Sequence, residues 1–175
     1  MSKISFNELD LQKLDNLIDN VETNSKTIDD IVDSIITKYS SPLDRYVVFV
    51  RDLLKDGENP PTTQELEDFC MNLSTYIYFA SGTAEYLGIR DDIAKAVYKE
   101  MYNTSRTALT KGTVQDKDSI ATLHSQEEAI ISAAYTRSYK IVKAKVDSAQ
   151  ELLSSAKKVL SHRIQMEQLT NIGGN

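Results

Sequence analysis

Apolar residues recur at steps of three and four along most of the chain, the spacing of one face of an α-helix. The N-terminal third carries three such stripes, over residues 11–21, 28–39 and 43–54. The Ser41-Pro42 step predicts a break between the last two, because the residue before a proline is disfavoured in helical geometry. Two further stripes end near Gly88 and Gly112. We therefore predict about three short N-terminal helices followed by two medium ones.

The C-terminal stripe predicts one long helix. Ser125 and Glu128 have the spacing of a capping box, the preceding residues 111–119 read as a polar loop, and no Gly or Pro follows until Gly173. The apolar positions alternate steps of four and three, namely Tyr135, Tyr139, Val142, Val146, Ala149, Leu153, Ala156 and Leu160. This is the heptad seam of a coiled coil, so we expect self-association or a partner helix. The predicted fold class is all-α.

Adjacent prolines at 60 and 61 predict a linker, because neither fits inside a helix. We place the linker at residues 57–62, after an acidic N-terminal helical segment at 1–56. A helical domain for oligomerisation and single-stranded DNA binding follows at 63–170, with a flexible tail at 171–175. Charge supports this division: the net charge is −8 over residues 1–68, −2 over 69–129 and +4 over 130–175.

The sequence offers little chemistry for catalysis. A single cysteine excludes a disulfide framework and a multi-cysteine zinc site, and two histidines supply too few metal ligands. Neither a phosphate-binding loop nor a nucleophile elbow is present in the 175 residues. We predict a protein that is not an enzyme and has no metal or cofactor. The longest apolar run, Tyr46 to Val50, predicts no membrane span, and we expect a cytoplasmic protein.

Basic residues concentrate on the predicted C-terminal helix, and such a row can neutralise nucleic-acid phosphates. Tyrosines one turn apart could stack on unpaired bases, although tyrosines on an apolar stripe more often belong to the core. The candidate nucleic-acid-binding residues are Arg137, Lys140, Lys143, Lys145, Lys157, Lys158, Arg163, Arg106, Lys99, Tyr135 and Tyr139.

From residue 65 onward the layout resembles the UvsY family of phage recombination mediators. The passages concerned are Leu73–Leu87, Ile93–Leu109 and above all residues 144–165, AKVDSAQELLSSAKKVLSHRIQ. The resemblance implies an all-helical subunit that forms a homo-oligomeric ring, acting in a phage-infected bacterial host. Its partners would be single-stranded DNA, a RecA-like recombinase and a single-strand-binding protein. It also implies DNA contacts from residues 90–111, including Arg90, Lys95 and Lys111.

Two other functions fit the same pattern. The chain could be a phage protein–protein interaction module, such as an inhibitor of a host complex whose acidic N-terminal segment imitates DNA. It could also be a helical component of a virion or a scaffold, with the long helix serving assembly. Binding to a labelled oligonucleotide at two salt concentrations separates DNA binding from both.

Overall fold

The computed structural model describes residues 8–54 and 60–173 and contains four α-helices and no strand in those ranges. The helices are α1 (Glu8–Leu54), α2 (Thr63–Ala108), α3 (Val114–His124) and α4 (Gln126–Gly173). The all-α prediction is confirmed. The three long helices form an antiparallel bundle, and the short α3 packs mainly against the C-terminal part of α2.

The predicted subdivision of the N-terminal part into about three short helices is wrong, because α1 is continuous for 47 residues. Pro42 lies inside it and removes one backbone hydrogen bond, at a cost of about 3 kcal/mol. Packing on both sides of Pro42 outweighs that cost: Tyr39 contacts one core cluster, and Leu43 and Val50 are buried in another.

The two medium helices are likewise one helix, α2, which continues through Gly82 and Gly88. Gly88 does not end the helix but lets α4 approach, since a Cβ at this position would lie 3.2 Å from Cε2 of Tyr139. The predicted start of α2 is confirmed. The Thr62 hydroxyl accepts from the Glu65 backbone N–H at 3.2 Å, and the Thr62 N–H donates to the Glu65 carboxylate at 2.7 Å.

The predicted polar loop at 111–119 is mostly helical, since α3 begins at Val114. Its capping box, Thr113 with Asp116, is a signal that the sequence reading missed. The predicted box at Ser125 does not form, because the Ser125 hydroxyl donates to the carbonyl of Ala121 at the end of α3.

The heptad seam of α4 faces the inside of the molecule. Val142, Val146 and Ala149 are buried, against Leu73 and Leu87 of α2 and Leu43 of α1. The buried core therefore comes from α1, α2 and α4 together.

The structure differs from two of the domain boundaries predicted from the sequence, the one at the linker and the one at the C-terminal tail. Residues 60–62 are not helical, and residues 57–59 of the predicted linker lie outside the described residues. Leu43 and Val50 lie in one core with residues of α2 and α4, and Ile35, Ile36 and Tyr39 pack against another, so residues 35–50 of the N-terminal segment pack as part of the bundle and not as a separate unit. Residues 171–173 of the predicted tail are helical, and 174 and 175 lie outside the described residues.

A substitution in α1 tests this shared core. Leu43→Ala removes a side chain that is only 3% exposed, and we expect it to lower the free energy of unfolding by about 2–5 kcal/mol. Val48→Ala, at a site 45% exposed in the same helix, should change it by less than about 1 kcal/mol. Chemical denaturation followed by circular dichroism measures both, and a separate early transition in Leu43→Ala would contradict a common core.

Candidate nucleic-acid interface

A buried carboxylate joins α2 to α4 where the candidate interface lies. Asp91 is 3% exposed, and its Oδ1 accepts a hydrogen bond from the Thr136 hydroxyl at 2.5 Å. Its Oδ2 accepts from the Lys95 ammonium at 2.6 Å, one turn along α2. Both oxygens of the buried charge are therefore satisfied, and the contact fixes the position of α4 against α2.

The ionisation of Asp91 follows from these partners. Burial alone would raise its pKa, but the hydrogen bonds from Lys95 and Thr136 and the charges of Lys95 and Lys140 lower the pKa below the ordinary 3.8. The interaction with Asp91 raises the pKa of Lys95, whose side chain is half exposed. The pair is ionised at neutral pH.

An open groove runs beside this contact, between the C-terminal half of α2 and the N-terminal half of α4. Its volume is about 490 Å³, and it is lined by Tyr98, Ala129, Ser132, Ala133, Thr136, Arg137 and Lys140. The small lining side chains, Ala129, Ser132, Ala133 and Thr136, come from α4, and the half-buried Tyr98 is the lining residue from α2.

Two of the residues that line this groove are the exposed cations Arg137 and Lys140, and further cations lie near it on both helices. Arg137 and Lys140 are one turn apart on α4, and Lys95 and Lys99 are one turn apart on α2. Lys143 follows on α4, with its Nζ 6.0 Å from the centre of the Tyr139 ring. Because Lys95 is paired with Asp91, we call Lys99, Arg137, Lys140 and Lys143 the groove cations. The acidic groups next to Lys95 are the paired Asp91 and the exposed Asp92, so the local balance is positive.

Three of the predicted basic residues have structural partners within the chain. Lys145 bonds to the Asp44 carboxylate at 2.7 Å and to the Ser40 hydroxyl at 3.2 Å, which ties α4 to α1. Arg106 pairs with Asp118 of α3 at 2.5 Å. Arg163 donates to the backbone carbonyl of Pro61, which anchors the start of α2. Contacts within the chain therefore account for the positions of these three basic residues.

Lys157 and Lys158 form a second, separate basic site on α4. They are exposed but lie about 27 Å along the helix from Lys140, at 1.5 Å per residue. The exposed Asp147 and Glu151 lie on the outward side of α4, between Lys140 and these two lysines. These two acidic residues therefore interrupt the row of basic residues expected from the sequence. The net charge of residues 130–175 did not show where along α4 they lie.

The two predicted stacking tyrosines are half-buried and pack against the core cluster of Ala84, Leu87 and Val142. Tyr139 also fills the space opposite Gly88. Tyr98 is the aromatic residue that lines the groove. Neither Tyr98 nor Asp91 is among the candidate residues identified from the sequence.

The described residues show neither a metal site nor a membrane-spanning helix. In residues 8–54 and 60–173, no group of three or more His, Cys, Asp and Glu side chains is arranged to hold a metal ion. No helix in the described part of the chain is long and apolar enough to span a bilayer.

Comparison with known proteins adds no relative. No protein-family model, no curated protein and no solved structure matches the chain.

The Asp91 contact gives a pH-dependent prediction. Because folding lowers the pKa of this group, its stabilisation is present above the unfolded pKa and is lost as the pH falls through the lower folded pKa. At pH 7, Asp91→Asn should therefore lower the free energy of unfolding by about 1.5–3 kcal/mol, the cost of losing hydrogen bonds to a charged group.

Denaturation at a series of pH values checks the sign of this effect. The difference between the two proteins should persist down to about pH 5 and shrink below about pH 4, because the carboxyl of the unfolded chain is protonated there first and the native carboxyl only at its lower pKa. Asp92→Asn, the exposed neighbour, serves as the control and should leave stability almost unchanged. A deficit in Asp91→Asn that grows as the solution becomes acidic would contradict an ionised Asp91.

Proposed function

We propose that the chain binds single-stranded DNA as a homo-oligomer and acts as a recombination mediator that helps load a RecA-like recombinase. The observation that carries the DNA-binding part is the groove between α2 and α4, which Tyr98 lines together with Arg137 and Lys140. Cations on two facing helices suit a chain of phosphates, and each neutralised phosphate releases counterions.

The form of the groove favours a single strand over a duplex. Its opening is bordered by Tyr98, a ring on which an unpaired base can stack, and a paired base hides its faces. The small side chains that line the groove, Ala129, Ser132 and Ala133, allow a sugar–phosphate backbone to come close.

The mediator role rests on the resemblance of residues 65–170 to the UvsY family. A mediator must hold single-stranded DNA while a recombinase displaces a single-strand-binding protein, so it needs a DNA surface and at least one protein surface. The groove is the candidate for the DNA surface.

A protein-binding function without DNA is the second candidate. The exposed acidic side chains Asp29, Asp30 and Asp33 of α1 support it, because they form a negative surface suited to a basic partner. This function predicts no measurable affinity for an oligonucleotide at physiological salt.

Charge reversal at the groove tests the proposal. In Arg137→Glu with Lys140→Glu, repulsion replaces two phosphate contacts, so we expect the affinity for a single-stranded oligonucleotide to fall at least tenfold. The dependence of affinity on salt should also become shallower, because fewer counterions are released. Fluorescence anisotropy at two salt concentrations measures both quantities.

The chain offers a matched control on the same helix. Lys157→Glu with Lys158→Glu makes the same change of charge at the separate basic site, and it should alter the affinity by less than about threefold if only long-range electrostatics are affected. Equal losses in the two double variants would contradict the groove as the binding surface. Absence of binding by the wild-type chain would favour the protein-binding function.

A second assay addresses the mediator role. The wild-type chain should accelerate assembly of a RecA-like recombinase on single-stranded DNA already covered by single-strand-binding protein, and the groove double variant should not. Acceleration that persists in a variant unable to bind DNA would contradict a mechanism through the groove.

A further inference from the structure

The outer side of α2 carries an apolar stripe with no partner in the bundle. Its larger members are 56–75% exposed and lie within about 60° of one direction around the helix, at 100° per residue. We call them the α2 stripe: Met71, Tyr78, Phe79, Tyr86, Ile89 and Ile93. Soluble proteins rarely leave such a contiguous apolar surface uncovered.

Gly82 lies in the middle of the α2 stripe, and no contact within this chain requires a glycine at that position. A glycine within a helix costs about 1 kcal/mol relative to alanine. At Gly88 the approach of Tyr139 explains that cost, but a Cβ built at Gly82 meets no atom within 4 Å. A bare backbone between the exposed rings of Tyr78 and Tyr86 is what the close approach of another helix requires.

Four of the six members of the α2 stripe form pairs about Gly82: Tyr78 and Tyr86 lie four residues on either side of it, and Met71 and Ile93 lie eleven residues on either side. Ile89 is paired in this way with Thr75, and Phe79 with the exposed Glu85. Two such helices placed antiparallel across a two-fold axis at Gly82 bring the members of each pair to the same level. A closed two-fold contact needs a surface that is complementary to itself in this way.

We propose that a second copy of this chain covers the α2 stripe, with the two α2 helices antiparallel and crossing at Gly82. This inference rests on the homo-oligomer of the proposed function and identifies its contact surface. The three aromatic rings, each able to bury on the order of 150–250 Å², and the aliphatic side chains beside them give roughly 800 Å² per copy. A standard stable interface buries about that much on each partner.

Charge favours the antiparallel direction. The first turns of α2 carry Glu65, Glu67 and Asp68 and no basic residue, whereas α2 after Gly82 carries four acidic and four basic residues. A parallel pair would place the acidic turns of one copy beside those of the other, whereas the antiparallel pair places them beside a stretch of balanced charge. Like charges placed together across an interface disfavour the parallel direction.

Mass measurements test the contact without DNA, so a failure here is distinct from a failure of DNA binding. Light scattering over a range of concentrations should give a dimer or an even multiple of the 19.7 kDa chain. Tyr86→Glu, at a side chain 69% exposed, should raise the dissociation constant of this contact at least 100-fold. Leu123→Glu, at a side chain 67% exposed on α3, is the matched control and should keep the wild-type mass. A wild-type monomer at every concentration, or a wild-type mass in Tyr86→Glu, would overturn the proposal.

Cysteine cross-linking tests the direction and the register. In a Cys70→Ala background, Gly82→Cys places two thiols at the two-fold axis, where their Cα atoms can approach the 4.4–6.8 Å of a disulfide. Ile93→Cys places them about 33 Å apart, at 1.5 Å per residue. Mild oxidation should give a covalent dimer with Gly82→Cys and none with Ile93→Cys, and circular dichroism confirms that both are folded. A comparable covalent dimer from Ile93→Cys would overturn the antiparallel arrangement.

Discussion

The structure depends on how the apolar seam of α4 is covered. A helix of 48 residues with an apolar position at every third or fourth step cannot leave that face in water. Here α2 runs antiparallel along it, and the second half of α1 completes the core at Leu43 and Val50. Because the seam is used within one chain, the proposed self-association uses another surface, the outer side of α2, and the proposed contact with nucleic acid uses the groove beside Asp91.

The fold class and the buried face of α4 could be predicted from the sequence, since the residues of the α4 seam are buried or half-buried as their spacing requires. It was not sufficient for the helix boundaries. Pro42 and Gly88 ordinarily end helices, but here Leu43 beyond Pro42 is anchored in the core, and Gly88 admits Tyr139. Local propensities of about 1–3 kcal/mol were outweighed by contacts between residues distant in the sequence.

The candidate site could be predicted only in part for a related reason. Sequence identifies which residues are basic but not which of them already have a partner, so Lys145 and Arg106 could not be distinguished in advance from Arg137 and Lys140. Their acidic partners, Asp44 and Asp118, lie 101 and 12 residues away along the chain. The balance between free and paired cations is a tertiary property, and it moves the candidate DNA surface from the whole of α4 to one groove.

The central claim is that α1, α2 and α4 form one cooperative core. Hydrogen exchange followed by mass spectrometry tests it most directly, because it reports the opening free energy of each segment. Peptides covering residues 32–50, 66–80 and 142–156 should show protection that disappears together as denaturant is added. Loss of protection in residues 32–50 at a denaturant concentration where the other two segments stay protected would contradict the claim.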